Sequence, residues 1–229
     1  MRSGRPADVP ARSTHRAWFF DLDGTLIDTA PDMAAALNDV LEREGRDALE
    51  LPLVRPHVSN GSLALIRLGF GDTIDDAGTR ELCSAFLERY AVRLCDSTTI
   101  FAGMDSVLDA LEQADLPWGI VTNKPGWLAE PLIEHLGLSS RARCIVSGDT
   151  LLFRKPHALP LLHAARQVGH DAAECIYVGD AERDIRSGRA AGMTTLIATY
   201  GYIPPQDEPE NWLADGSVDK PEALLEWIT

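Results

Sequence analysis

Cysteine is scarce and poorly placed for metal or redox work. Cys83, Cys95, Cys144 and Cys175 form no CxxC pair and have no histidine at zinc-finger spacing. Cys144 and Cys175 lie in the apolar runs CIV and CIYV, where a cysteine acts as a small buried hydrophobe. Such a set suits a reducing cytoplasm. No apolar run approaches the ~18 residues of a membrane span, and no apolar core follows the N-terminal arginines, so neither a spanning helix nor a secretory signal is expected. Positive charge is also short: 21 Lys+Arg stand against 35 Asp+Glu, a formal charge of −14. That surface repels polyphosphate and anionic lipid, which argues against nucleic acid and membranes as partners. A phosphorylated substrate would need a local island of positive charge.

What remains is an ordinary folded composition, 45% hydrophobic and 24% charged. With 229 residues there is room for one large domain, or for a domain carrying a smaller inserted one. Residues 1–16 hold Arg2, Arg5, Arg12 and Arg16 against a single acid and read as a disordered basic tail. Ala17–Phe20 is a short apolar strand that ends abruptly in the acidic turn DLDGT. Thr29-Ala-Pro-Asp32 resembles a capping box at a helix start, and residues 31–97 carry helical signals alone. The clearest stripe there is Leu82, Phe86, Tyr90 and Leu94.

From residue 104 the pattern alternates. Helices are expected at 104–114, 127–136, 157–168 and 183–191, with strands at 118–121, 144–147, 175–178 and 194–198 and a last short helix at 221–228. Alternation of this kind predicts a parallel sheet with helices on both faces. The expected fold is therefore α/β: a Rossmann-like parallel core formed by 17–30 and 98–229, interrupted by a small helical cap domain at 31–97. Trp18, Trp118 and Trp127 are expected in the core, and His157 and His163 outside any site.

Open parallel sheets present reactive groups at the carboxyl ends of their strands. Four segments meet there: Asp21 with Asp23, Thr122 with Asn123, Lys155, and Asp180 with Asp184. Two carboxylates two residues apart on a buried turn need a cation or a proton between them. A donor set of oxygens alone suits magnesium. Each motif has a plainer explanation as a turn, a cap or a solvated lysine; their convergence at one sheet end favours a site.

The segments DLDGTLIDT, VTN, Lys155-Pro156 and VGDAERD resemble, in order and spacing, those of the haloacid dehalogenase-like hydrolase superfamily. The resemblance implies an aspartyl-phosphate mechanism with Asp21 as nucleophile and Asp23 as general acid and base. Lys155 would be the charge stabiliser, and Gly24, Thr25, Thr122 and Asn123 would hold phosphate. Magnesium would be held by Asp21, the Asp23 backbone carbonyl and Asp180, with Asp184 in its outer shell. Dehalogenating and cation-pumping branches lack an acid at the position of Asp23, so phosphatase or phosphomutase chemistry is implied.

Within that superfamily, DTAPDM, RPHVSNG, VTNKP and KPHALPLL are similar to bacterial phosphoglycolate phosphatases. The segment YGYIPPQDEPENWLAD is similar to a sister branch that dephosphorylates N-acetylmuramic acid 6-phosphate in cell-wall recycling. Both substrates are small phosphate esters bearing a carboxylate, and the long C-terminal loop favours the muramic acid ester. Arg55, Asn60 and Gly61 are the substrate-specificity candidates, with Arg55 able to grip a carboxylate in a fork. A phosphosugar mutase and a non-catalytic phosphate-binding protein are the other readings. A monomer or homodimer is expected.

Overall fold

The computed structural model describes residues 15–72 and 74–228. Six parallel strands form the main sheet: β1 (Ala17–Phe20), β4 (Trp118–Val121), β5 (Cys144–Val146), β6 (Cys175–Gly179), β7 (Thr194–Ala198) and β8 (Gly216–Val218). Their order across the sheet is β5-β4-β1-β6-β7-β8. A two-stranded antiparallel ribbon, β2 (Ile27–Asp28) with β3 (Thr99–Ile100), stands beside it.

Period-2 alternation sorts the strands onto two cores. Trp18, Phe20, Trp118, Ile120, Ile176 and Val178 face one way. There they meet α5 (Met104–Gln113) and α6 (Gly126–His135). Ala17, Phe19, Val121, Val146, Cys175 and Tyr177 face the other way, onto α7 (Leu159–Val168) and the end of α8 (Glu182–Ala191). Strands covered on both faces read as continuous apolar runs, which is why AWFF and CIYV contain no polar side chain directed at water. Each large side chain so buried contributes about 1.5–3 kcal/mol.

The helical insertion comprises α1 (Ala30–Arg43), α2 (Leu51–Val54) running into a 3-10 turn at Arg55–Asn60, α3 (Gly61–Phe70) and α4 (Asp76–Val92). Phe86 and Tyr90 of α4 are fully buried, and the cap packs into the same apolar cluster as Leu22 and Leu26 of the core.

The capping box expected at Thr29–Asp32 does not form. Thr29 makes no side-chain cap bond. Both side chains of the expected box are diverted: the Thr29 hydroxyl donates to Asp23, and the buried Asp32 carboxylate accepts from Ser97 N, Thr98 N and Thr98 Oγ1. That carboxylate ties together the two chain segments that cross between core and cap.

Other differences are smaller. Helix α7 begins at Leu159, two residues later than expected. The segment 221–228 is a 3-10 helix, Pro221–Trp227. β2, β3 and β8 are too short to leave a periodic signal. Trp127 is 53% exposed instead of packed in the core: Leu128, Ala129, Leu132 and Ile133 form the buried stripe of α6, which places 127 off that face. Cys144 and Cys175 are buried as expected, and all four thiols are free. The tail expected at 1–16 falls outside the described residues as far as residue 14; Arg16 N donates to Glu174 O. Among the described residues no helix is long and apolar enough to cross a membrane.

Candidate active site

β1 lies between β4 and β6, where the strand order reverses, so its carboxyl end opens a crevice. Asp21 sits there, 3% exposed. Its N–H donates to Val178 O, extending the β1–β6 ladder by one residue and fixing where the side chain leaves the strand. Oδ1 accepts from Leu22 N at 2.7 Å and from Lys155 Nζ at 2.9 Å. Both donors go to Oδ1, which leaves Oδ2 to meet a ligand. Burial alone would push the Asp21 carboxyl up, but Lys155 and Arg183 outweigh it and hold it below the ordinary range.

Lys155 comes from the loop after β5, with its ammonium wholly buried. Besides Asp21, Nζ reaches Asp184 Oδ1 at 2.7 Å, Val121 O at 2.9 Å and Tyr177 Oη at 2.7 Å. An ammonium this deep is tolerable only because every proton has an acceptor. The other oxygen of Asp184 accepts from Ala181 N, fastening the start of α8. Asp184 is thus spent on support, one oxygen for the lysine and one for a helix. Burial and then Asp21 raise its carboxyl.

Carboxylate oxygens of Asp21, Asp180 and Asp184 lie within 4.8 Å of one another. Asp180 Oδ2 accepts from Tyr202 N and Ser59 Oγ, whereas its Oδ1 is buried with no hydrogen-bond partner among the described residues. Burial, then Asp21 and Asp184, push the Asp180 carboxyl up to about 7. An orphaned buried oxygen in an all-oxygen cluster fits a hard divalent cation such as magnesium, and the absence of sulfur or imidazole disfavours zinc.

The phosphate-binding candidates divide. Gly24 has φ +80°, and a Cβ there would stand 2.1 Å from Asp180 Oδ2. Only glycine permits that turn. Thr25 and Thr122 are buried at the same end. The Thr25 hydroxyl has no partner among the described residues, and Thr122 Oγ1 accepts from Lys124 N, leaving its proton to donate. Asn123 instead brackets the backbone of Lys155, donating to its carbonyl and accepting from its N–H. Its side chain positions the lysine loop.

Among the cap candidates, Arg55 forms a fork with Asp28 at 3.0 and 2.8 Å and lies over the ring of Tyr202. Tyr202 Oη donates to the same carboxylate at 2.6 Å. Asn60 is exposed and lines a surface cavity with His57, Leu63 and Arg67, and Gly61 (φ +78°) has open space around it. Neither is brought to the carboxylates. Ser59, beside them, is: it reaches Asp180 at 2.7 Å. A cavity of about 600 Å³ at the opposite end of the sheet, lined by Trp118, Arg141 and His170, contains none of these groups.

Asp23 accepts from Thr29 Oγ1 at 2.6 Å and from Lys124 Nζ at 3.0 Å. Sequence reasoning passes over Lys124, Tyr90, Ser59, Thr29 and Tyr202. Lys124, Ser59 and Tyr202 lie within VTNKP, RPHVSNG and YGYIPPQDEPENWLAD, Thr29 ends DLDGTLIDT and Tyr90 belongs to the α4 stripe, but nothing local marks their partners, which arrive through the folding of cap and C-terminal loop.

The chain is similar to known proteins along most of its length. The family model described as haloacid dehalogenase-like hydrolase matches residues 18–198. A phosphoglycolate phosphatase of Xanthomonas campestris pv. campestris is 46% identical over 211 residues, 92% of this chain and 95% of its own. An N-acetylmuramic acid 6-phosphate phosphatase of Pseudomonas aeruginosa is 40% identical over 211 residues, 92% and 93% respectively. The crystal structure of a predicted phosphoglycolate phosphatase from Haemophilus somnus superposes with TM-score 0.84 over 96% of this chain and 100% of that one; at 23% identity it speaks for the fold alone.

Proposed function

Because the chain belongs to the haloacid dehalogenase-like hydrolases and is a phosphoric monoester hydrolase, we propose that it hydrolyses a small carboxylate-bearing phosphate ester through an aspartyl-phosphate on Asp21. The observation that carries this reading is Asp21 itself: a buried carboxylate with Oδ1 held by Leu22 N and Lys155, and no hydrogen bond to Oδ2 among the described residues. Oδ2 attacks phosphorus as the bond to the leaving oxygen breaks, and Asp23 gives that oxygen its proton. Asp23 then takes a proton from water as water attacks, and the Asp21–phosphorus bond breaks to release phosphate. Splitting hydrolysis this way replaces one hard step by two easier ones. The transferred group is held by Lys155, the Thr122 hydroxyl and the backbone N–H groups near Gly24 and Thr25, the local positive charge that an acidic protein must supply.

Magnesium fits Asp21, the Asp23 carbonyl and Asp180, where it would supply charge neutralisation for the phosphoryl oxygens. Residues 31–97 act as the cap and exclude water.

We read the substrate as N-acetylmuramic acid 6-phosphate. The long C-terminal loop supports this, since its Tyr202 meets both Asp180 and Asp28. So does exposed Trp127, three residues past Lys124 at the same sheet end, where an indole face suits a pyranose ring. Arg55, already in a fork with one carboxylate, would exchange Asp28 for that of the substrate. 2-Phosphoglycolate is the second reading, favoured by the name of the 46% identical relative. Phosphate release with magnesium, compared by kcat/KM across both esters and sugar phosphates, tests this. Preference for the muramic acid ester is expected; preference for phosphoglycolate overturns it, and release from neither removes the phosphatase reading of the site.

A further inference from the structure

One buried cation at the site has no part in the chemistry above. Lys124 follows Asn123 at the end of β4, and its side chain is 5% exposed. Its ammonium donates to Asp23 Oδ1 at 3.0 Å and approaches Oδ2 at 3.3 Å. On its other side it donates to Tyr90 Oη at 2.9 Å and lies 4.5 Å from the centre of that ring. Tyr90 belongs to α4 of the cap, is fully buried and stacks on Phe86. Burial pushes its phenol up to about 12, so it stays neutral and accepts the ammonium proton without competing for the charge.

The two oxygens of Asp23 are treated unequally. Oδ1 takes the short bonds, from Thr29 Oγ1 at 2.6 Å and from Lys124, while among the described residues Oδ2 has only the longer approach from Lys124. A carboxylate pinned through one oxygen by donors on both sides has its rotation about χ2 fixed, and the other oxygen is presented in a set direction. The donor that does this from the core is itself conditional. A buried ammonium needs acceptors, and the cap delivers one of them, the Tyr90 phenol. Withdrawal of α4 removes that phenol and exposes Lys124 to water, where its pair with Asp23 is weak and easily broken.

We infer that Lys124 is the positioning residue for Asp23, and that Tyr90 makes this positioning depend on cap closure. This rests on the reading of Asp23 as general acid and base. Oδ2 is then the oxygen that exchanges protons with the leaving group and with water, and it is correctly aimed only while the cap is shut.

The test exploits leaving groups. An alkyl phosphate needs a proton on departure, whereas a phenyl phosphate needs it far less, and kcat/KM reports only the steps up to phosphoryl transfer. Lys124→Met is expected to lower kcat/KM for the alkyl ester about 100-fold, mainly through kcat, and that for phenyl phosphate by less than about 5-fold. Lys124→Arg should recover most of the loss. Tyr90→Phe, which deletes one buried oxygen, should show the same contrast at about 5-fold, and it carries the test if Lys124→Met fails to fold. Equal losses on both esters in the folded variants, or no loss, overturn the inference. Asp23→Asn in parallel separates the two claims. If it spares the alkyl ester, the reading of Asp23 fails; if it shows the contrast while Lys124→Met and Tyr90→Phe do not, only the positioning claim fails.

Discussion

Core and cap hold the site in different ways. The core's ties are buried and redundant: Lys155 has two carboxylates, a carbonyl and a phenol, and its backbone is bracketed by Asn123. The cap's ties are single side chains, each reaching a different core segment: Ser59 to Asp180, Tyr90 to Lys124 and Arg55 to Asp28. Arg55 and Asp28 are moreover partly exposed. Charge preorganised in the core costs nothing at the moment of reaction, while contacts that are few and separable let a lid open on each turnover. On the proposed reading, chemistry and access divide along the line between sheet and insertion.

If that division holds, core changes should stop the reaction and cap changes should only slow it. Asp21→Asn is expected to reduce phosphate release to background, by at least about three orders of magnitude, with an unchanged circular dichroism spectrum; turnover without deamidation back to Asp would dissolve the distinction. Gly24→Ala should cost about 100-fold or more in kcat, because its Cβ collides with Asp180 at a positive-φ turn, and its melting temperature should fall as well. Magnesium affinity should fall as pH drops below 7: burial, then Asp21 and Asp184, push the Asp180 carboxyl up to about 7, and a proton bound there must leave before the cation enters. A flat affinity between pH 5 and 7 would mean that Asp180 is not a ligand. Smallest of all, Ser59→Ala and Arg55→Ala should change kcat by less than about tenfold and the melting temperature by a few degrees, since Arg55 loses a partly exposed ion pair worth at most about 1 kcal/mol and Ser59 a single hydrogen bond of about 1–3 kcal/mol. A complete loss from either would show the cap taking part in the chemistry.

The core half is the legible half. Asp21, Asp23 and Asp180 follow strand ends, where apolar-to-acidic transitions mark them; Lys155 lies in the loop before α7 and Asp184 in the first turn of α8; and the alternation of helix and strand implies the parallel sheet. What escapes depends on distance along the chain. Ser59 and Asp180 are 121 residues apart and Lys124 and Tyr90 are 34 apart; no spacing rule joins a helix in an insertion to the end of a strand. Asn123 stands out in the sequence but its partner does not, because an amide beside a strand end looks the same whether it binds phosphate or braces a loop. Trp127 is recoverable from the phase of α6, whose apolar stripe begins one residue later. The Thr29–Asp32 box misleads because both side chains find stronger partners in tertiary structure.

Asp32 also bears on how such a molecule can be remodelled. By gathering Ser97 and Thr98 against the start of α1, it brings the entry and exit of the insertion onto one short ribbon, where Ile27 faces Ile100 and Asp28 faces Thr99. An insertion whose two ends emerge side by side behaves like a cassette in a socket. The sheet's ladder runs through core residues alone, so the plugged unit can be lengthened, exchanged or reshaped for another substrate as long as it still offers groups like Ser59 and Tyr90 to Asp180 and Lys124.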